Sequence, residues 1–75
     1  IIMTMQVDDL KNKGNSEYAA GNHSEALRLF TQAIDLDPQN AILLSNRSAC
    51  HASLGQWEAA LEDAEEACRL RPDWA

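Results

Sequence analysis

Apolar and small residues recur at three- and four-residue steps in four stretches, approximately 8–20, 23–37, 41–54 and 57–71, and none of the four contains proline. Each stretch predicts an amphipathic helix. No segment alternates apolar and polar residues as a half-buried strand would, so the pattern predicts an all-α chain of four helices. Gly21-Asn22 and Gly55-Gln56 break the pattern within each pair, and Asp37-Pro38-Gln39-Asn40 breaks it between the pairs. Asn22 with Glu25 predicts a capping box at the second helix, and Gln56 with Ala59 a weaker version at the fourth. Pro72 lacks an N–H and disfavours a helical Arg71, so the fourth helix should stop there.

Sliding the chain by 34 residues aligns its two halves without a gap. Leu10 falls on Leu44, Asn12 on Asn46, Gly21 on Gly55, Ala26 on Ala60, Leu27 on Leu61, Ala33 on Ala67, Leu36 on Leu70 and Pro38 on Pro72. The matches occupy demanding places: a glycine in each turn, alanines where helices approach closely, leucines for a core, and a proline after each second helix.

Period and residues together resemble the tetratricopeptide repeat over residues 7–40 and 41–74, with residues 1–6 left as an N-terminal extension. The resemblance implies two tandem helix-turn-helix repeats in a short right-handed α-solenoid. The first helix of each repeat would line a concave groove, and the second would lie on the convex side. Ala64 stands where an aromatic such as Phe30 is usual, which predicts looser packing there. Lys13 and Arg47 replace a residue that is commonly apolar in the family.

With 75 residues, the chain buries only about 60% of its unfolded surface, so the core must be thin. Hydrophobic residues at 45% and charged residues at 24% describe a soluble globular chain. No apolar run approaches the roughly 18 residues of a membrane span. Ile1-Ile2-Met3 is too short for a signal peptide and lacks its basic flank, so the reading is cytoplasmic or nuclear. Cys50 and Cys68 show no metal-ligand spacing and read as reduced packing residues of the core.

The net charge of −6 is unevenly distributed. The fourth stretch carries Glu58, Glu62, Asp63, Glu65 and Glu66, whereas the third carries Arg47 and no acid. Glu58, Glu62 and Glu66 repeat at four-residue steps and predict a solvated, mutually repelling stripe. An acidic chain without a basic stripe lacks the footprint of a nucleic-acid binder. Cys50 with His51 or His23 is the tempting nucleophile–base pairing for an enzyme, and it fails. Neighbouring helical residues point about 100° apart, and no Gly-rich loop or acidic orienter accompanies the pair. No catalytic residue, metal ligand or cofactor site is assigned.

A narrower resemblance lies in Leu10-Lys11-Asn12-Lys13-Gly14-Asn15 and Ser45-Asn46-Arg47-Ser48-Ala49, which are similar to the carboxylate-clamp subclass of these repeats. That subclass binds the C-terminal Glu-Glu-Val-Asp tail of Hsp70 and Hsp90 chaperones. Its motif falls on Lys11, Asn15 and Asn46, and implies one ammonium and two amides offered to carboxylates. Tyr18 and Ala49, each three residues beyond a clamp asparagine, are implied groove-wall positions. The subclass also uses a lysine and an arginine from a third repeat, so the clamp within these residues is incomplete. Gln6-Val7-Asp8-Asp9-Leu10-Lys11 and Arg71-Pro72-Asp73-Trp74 resemble the first repeat domain of the Hsp70/Hsp90-organising co-chaperone family. The alternative is an assembly module whose groove takes helices of other proteins. A further expectation is weak self-association through Leu61, Ala64, Cys68, Leu70 and Trp74.

Overall fold

The computed structural model describes residues 2–72, with side chains from Met5 onward. Four helices follow in chain order: α1 (Ile2–Ala19), α2 (His23–Leu36), α3 (Ala41–Ser53) and α4 (Trp57–Leu70). They pack as two antiparallel pairs, α1 on α2 and α3 on α4, with α3 also seated on α2. α1 reaches back to Ile2, well before the expected residue 8, because Ile2–Gln6 contains neither glycine nor proline to stop it.

The two turns share their glycine bonds. Gly21 has φ 87° and Gly55 φ 77°, a left-handed conformation that costs an L side chain roughly 1–2 kcal/mol. In the first turn the Gly21 N–H donates to Tyr18 O at 3.0 Å and the Asn22 N–H to Glu17 O at 2.8 Å. In the second, Gly55 donates to Ala52 O at 3.0 Å and Gln56 to His51 O at 2.8 Å. Each pair of bonds satisfies carbonyls that the end of a helix would otherwise leave open.

The caps depart from expectation. Asn22 makes no capping bond; its Nδ2 donates instead to Glu17 Oε1 at 2.7 Å, while Glu25 pairs with Arg28, which holds the Glu25 carboxyl below the usual range. Gln56 is likewise diverted, its Oε1 lying 2.7 Å from His51 Nδ1. The side-chain cap forms at Asn40, whose Oδ1 accepts from the Ile42 and Leu43 N–H groups at 3.1 and 3.2 Å. Backbone geometry explains the difference. Asn40 is extended at ψ 102°, which aims its side chain at the first turn, whereas Asn22 and Gln56 sit at ψ 70° and 72°.

Phe30, Leu43 and Cys50 are the largest fully buried side chains, and they join Val7, Ile34 and Leu44 in one core that runs through both repeats. Fully burying a side chain such as Phe30 or Leu43 stabilises the fold by about 1.5–3 kcal/mol. Cys50 fits the packing role expected of it, and burial pushes its thiol pKa up. Cys68 does not: it is exposed on the outer side of α4. The 34-residue period makes Cys68 the counterpart of Ile34, but among the described residues no helix covers α4 there as α3 covers α2.

The α4 acids also divide. Glu58, Glu62 and Glu65 are exposed, and Glu66 is paired with Arg69, which lowers its carboxyl pKa. Asp63 is buried at 7% exposure. It accepts a two-pronged contact from Arg47, Nε to Oδ2 at 2.7 Å and Nη2 to Oδ1 at 2.8 Å, and His51 Nε2 lies 3.6 Å from Oδ2. The hydrogen bond to Asp63 raises the Arg47 pKa further. Asp63 is the repeat equivalent of Leu29 and Arg47 that of Lys13, so a buried carboxylate with its ion pair stands where the first repeat buries an apolar side chain. Lys13 turns instead to Asp9 on its own helix, at 3.2 Å.

The two ends of the stack differ. Leu43 and Cys50, fully buried where α3 sits, correspond by period to exposed Asp9 and Ser16 on α1, so the α1 end carries polar groups. At the other end Trp57 and Leu61 are 68% and 59% exposed, Ala64 and Leu70 are half-buried, and Cys68 is open. Ala64 is thus far less enclosed than its counterpart Phe30, in keeping with the looser packing expected there. Trp74 lies outside the described residues.

Two outcomes follow. Arg47→Met strands a buried carboxylate and should cost about 3 kcal/mol or more in urea unfolding, whereas Arg47→Met/Asp63→Leu should return stability to within about 1 kcal/mol of the parent. Sedimentation velocity over a hundredfold concentration range should show weak association through the α4 face, and Leu61→Glu should abolish it without loss of helix.

Candidate functional site

The sequence-predicted residues lie on α1 and α3, which flank a small cleft. Asn15 and Tyr18 from α1, Asn46 and Ala49 from α3, and Phe30 from α2 line a space of about 80 Å³. The helical repeat explains the grouping: three-residue steps put Asn15 with Tyr18 and Asn46 with Ala49 on single faces. Lys11 does not line this cleft. It is half-buried one turn before Asn15 on α1, on the same side of the helix by its four-residue spacing.

None of the five lining side chains is charged, so the cleft is polar through its amides and apolar through Phe30, Tyr18 and Ala49. Among the described residues, Lys11, Asn15 and Asn46 make no side-chain hydrogen bond or ion pair, and their donors remain available. Lys13 is engaged by Asp9 and Arg47 by Asp63, so Lys11 is the cation of the α1–α3 side that keeps its charge unpaired among the described residues.

Phe30 is the lining residue that sequence reasoning missed, although a signal was present. Position 14 is glycine in the first repeat and Ser48 in the second, while Phe30 corresponds to Ala64. A Cβ on Gly14 would lie 2.7 Å from Phe30 Cε1, so the glycine makes room for the ring. In the second repeat the pairing is reversed: Ala64 is small, and Ser48 Oγ donates to Ala60 O at 2.7 Å. The small–large exchange between the helices marks Phe30 as a residue that fills inter-helix space.

The nucleophile–base reading of Cys50 and His51 fails on geometry. His51 turns its ring nitrogens to Gln56 and Asp63, and the Cys50 thiol is buried with its pKa raised, which disfavours the thiolate. Among the described residues no three His, Cys, Asp or Glu side chains gather in a way that can hold a metal ion. No described helix is long and apolar enough to cross a membrane.

A family model described as the tetratricopeptide repeat matches residues 11–73. The chain belongs to the tetratricopeptide repeat family. It is 48% identical over 67 residues to Hsp70-Hsp90 organizing protein 2 of Arabidopsis thaliana, covering 89% of this chain and 12% of that protein. To the heat shock protein STI1 of Saccharomyces cerevisiae it is 39% identical over 74 residues, covering 97% of this chain and 13% of that protein. The chain therefore spans about an eighth of the length of these relatives. Among solved structures, the Sgt2 TPR domain of Aspergillus fumigatus superposes with a TM-score of 0.88 at 44% identity, covering 91% of this chain and 45% of that one. The first TPR of Spaghetti (RPAP3), bound to the Hsp90 peptide SRMEEVD, superposes with a TM-score of 0.90 at 30% identity, covering 93% of this chain and 56% of that one.

Because Phe30 joins the core to the cleft, Gly14→Ala is expected to cost about 1–3 kcal/mol in stability. Gly14→Ser combined with Phe30→Ala copies the second repeat's pairing and should cost less than the sum of the two single changes; strict additivity in urea unfolding would separate the two positions.

Proposed function

We propose that this tetratricopeptide repeat module belongs to a co-chaperone and binds the C-terminal Glu-Glu-Val-Asp tail of an Hsp70 or Hsp90 chaperone. Lys11, Asn15 and Asn46 hold the tail's carboxylates, and Tyr18 and Ala49 flank its apolar side chain. The observation that carries this reading is the cleft itself: Asn15 and Asn46 converge on it from two helices with their amides unspent. An amide N–H or an ammonium suits a carboxylate oxygen, and a charge-assisted bond of this kind is stronger than a neutral one. The similarity to a TPR solved with SRMEEVD, a peptide that ends in adjacent carboxylates, supports the same ligand chemistry. Because Lys11 lies outside the cleft, its part is to meet a second carboxylate one helical turn away from the amides.

The module acts by binding alone. The net charge of −6 does not preclude an acidic ligand, because fields are screened beyond about 8 Å at physiological salt and the cleft-lining residues carry no acid.

Calorimetric titration with a Glu-Glu-Val-Asp peptide is the test. Lys11→Ala and Asn15→Ala should each weaken binding by about 1–3 kcal/mol with helix content unchanged, and the parent's affinity should fall as salt rises. Amidating the peptide's C-terminus should weaken it as well. Equal affinity for the free and amidated peptides, with Lys11→Ala inert, would favour the reading in which the groove takes helices of other proteins.

A further inference from the structure

Tyr18 and Ser53 join the two first helices directly. Tyr18 Oη and Ser53 Oγ lie 3.1 Å apart, and this contact runs from the end of α1 to the end of α3, across the line where one repeat meets the next. Among the described residues, no other side-chain hydrogen bond or ion pair links α1 to α3. The Tyr18 ring also lines the cleft between the clamp asparagines.

A hydroxyl contact open to solvent competes with water and holds little by itself. Here one partner is fixed from behind. The His23 ring meets the Tyr18 ring edge-on at 4.8 Å and 68°, and His23 is itself the first residue of α2, just past the Gly21 turn. The hydroxyl is thus presented from a ring whose position is set by packing, which reduces the entropy lost when it bonds. The second repeat offers no copy of this device, because Ala52 stands in the place of Tyr18.

We propose that the Tyr18–Ser53 bridge is a positioning pair that fixes the spacing of α1 and α3 and thereby sets the width at which Asn15 and Asn46 face one ligand. The proposal rests on the carboxylate-binding reading above for its ligand, but its structural half stands without it. Two amides on separate helices serve one carboxylate only if the helices keep their spacing, and a site held in its binding geometry beforehand loses less free energy on closing. The Tyr18 ring flanks the ligand in the reading above, while its hydroxyl acts through Asn15 and Asn46 by holding their helices.

Tyr18→Phe keeps the ring and its contact with His23 while deleting the hydroxyl, and Ser53→Ala deletes the other end. Affinity for the Glu-Glu-Val-Asp peptide should fall roughly two- to tenfold in either single variant and by no more in the double, because both remove one bond. Thermal stability should change little. In a Cys68→Ser background, nitroxide labels at exposed Asn12→Cys and Ser45→Cys should give a broader dipolar distance distribution in Tyr18→Phe than in the parent. Unchanged affinity in both single variants while Lys11→Ala still weakens binding would overturn the proposal, as would losses that multiply in the double. Should Lys11→Ala prove inert, the clamp reading falls and the distance measurement decides alone: broadening supports the bridge, and an unchanged distribution overturns it.

Discussion

Phe30 is the side chain on which both the interior and the groove depend. At 1% exposure it is among the largest side chains fully enclosed, yet it also forms part of the cleft between α1 and α3. One ring can serve both because Gly14 removes the Cβ that would collide with it, letting α2 approach α1 closely. Interiors are packed nearly as densely as organic crystals, so displacement of this ring shifts the helices that carry the polar groups. Among the described residues, no second layer packs behind these four helices to absorb such a shift.

The second repeat reaches the same architecture by different chemistry. Where the first repeat buries Leu29 on α2, the second buries Asp63 and meets it with the Arg47 fork and the His51 ring. Such a pair is no bargain in free energy relative to leucine, since desolvating two charges offsets much of their attraction. Its consequence is directional: a fork of parallel bonds fixes the rotation of α3 against α4 more narrowly than apolar contact does. It also pairs Arg47 and Asp63 with each other, leaving Lys11 the unpaired Lys or Arg of α1 and α3 among the described residues.

The stack is polarised. Asp9 and Ser16 stand on α1 where Leu43 and Cys50 stand on α3, which makes the α1 end wettable, while Trp57, Leu61 and Cys68 leave α4 apolar on its outer side. Head-to-tail stacking of copies would set the carboxylate of Asp9 and the hydroxyl of Ser16 against that apolar face with no partner, a costly burial.

Much of this was determined by the sequence alone, because the properties concerned are local or periodic. A glycine followed by Asn or Gln at a 34-residue interval dictates the left-handed turn, and the bonds of Gly21 and Asn22 recur at Gly55 and Gln56. Three- and four-residue spacing likewise assigned Asn15, Tyr18, Asn46 and Ala49 to shared helix faces. Other features were decided only by tertiary structure. Asp63, alone among the five α4 acids, is buried, and Cys68 faces outward although Cys50 is enclosed. Tyr18 meets Ser53 across 35 positions of sequence. Each of these depends on which groups two separately coded helices bring within about 3 Å of one another, a distance set by crossing angle and side-chain volume. Periodicity fixes the face on which a residue lies; the packing of one helix against the next determines what that residue touches.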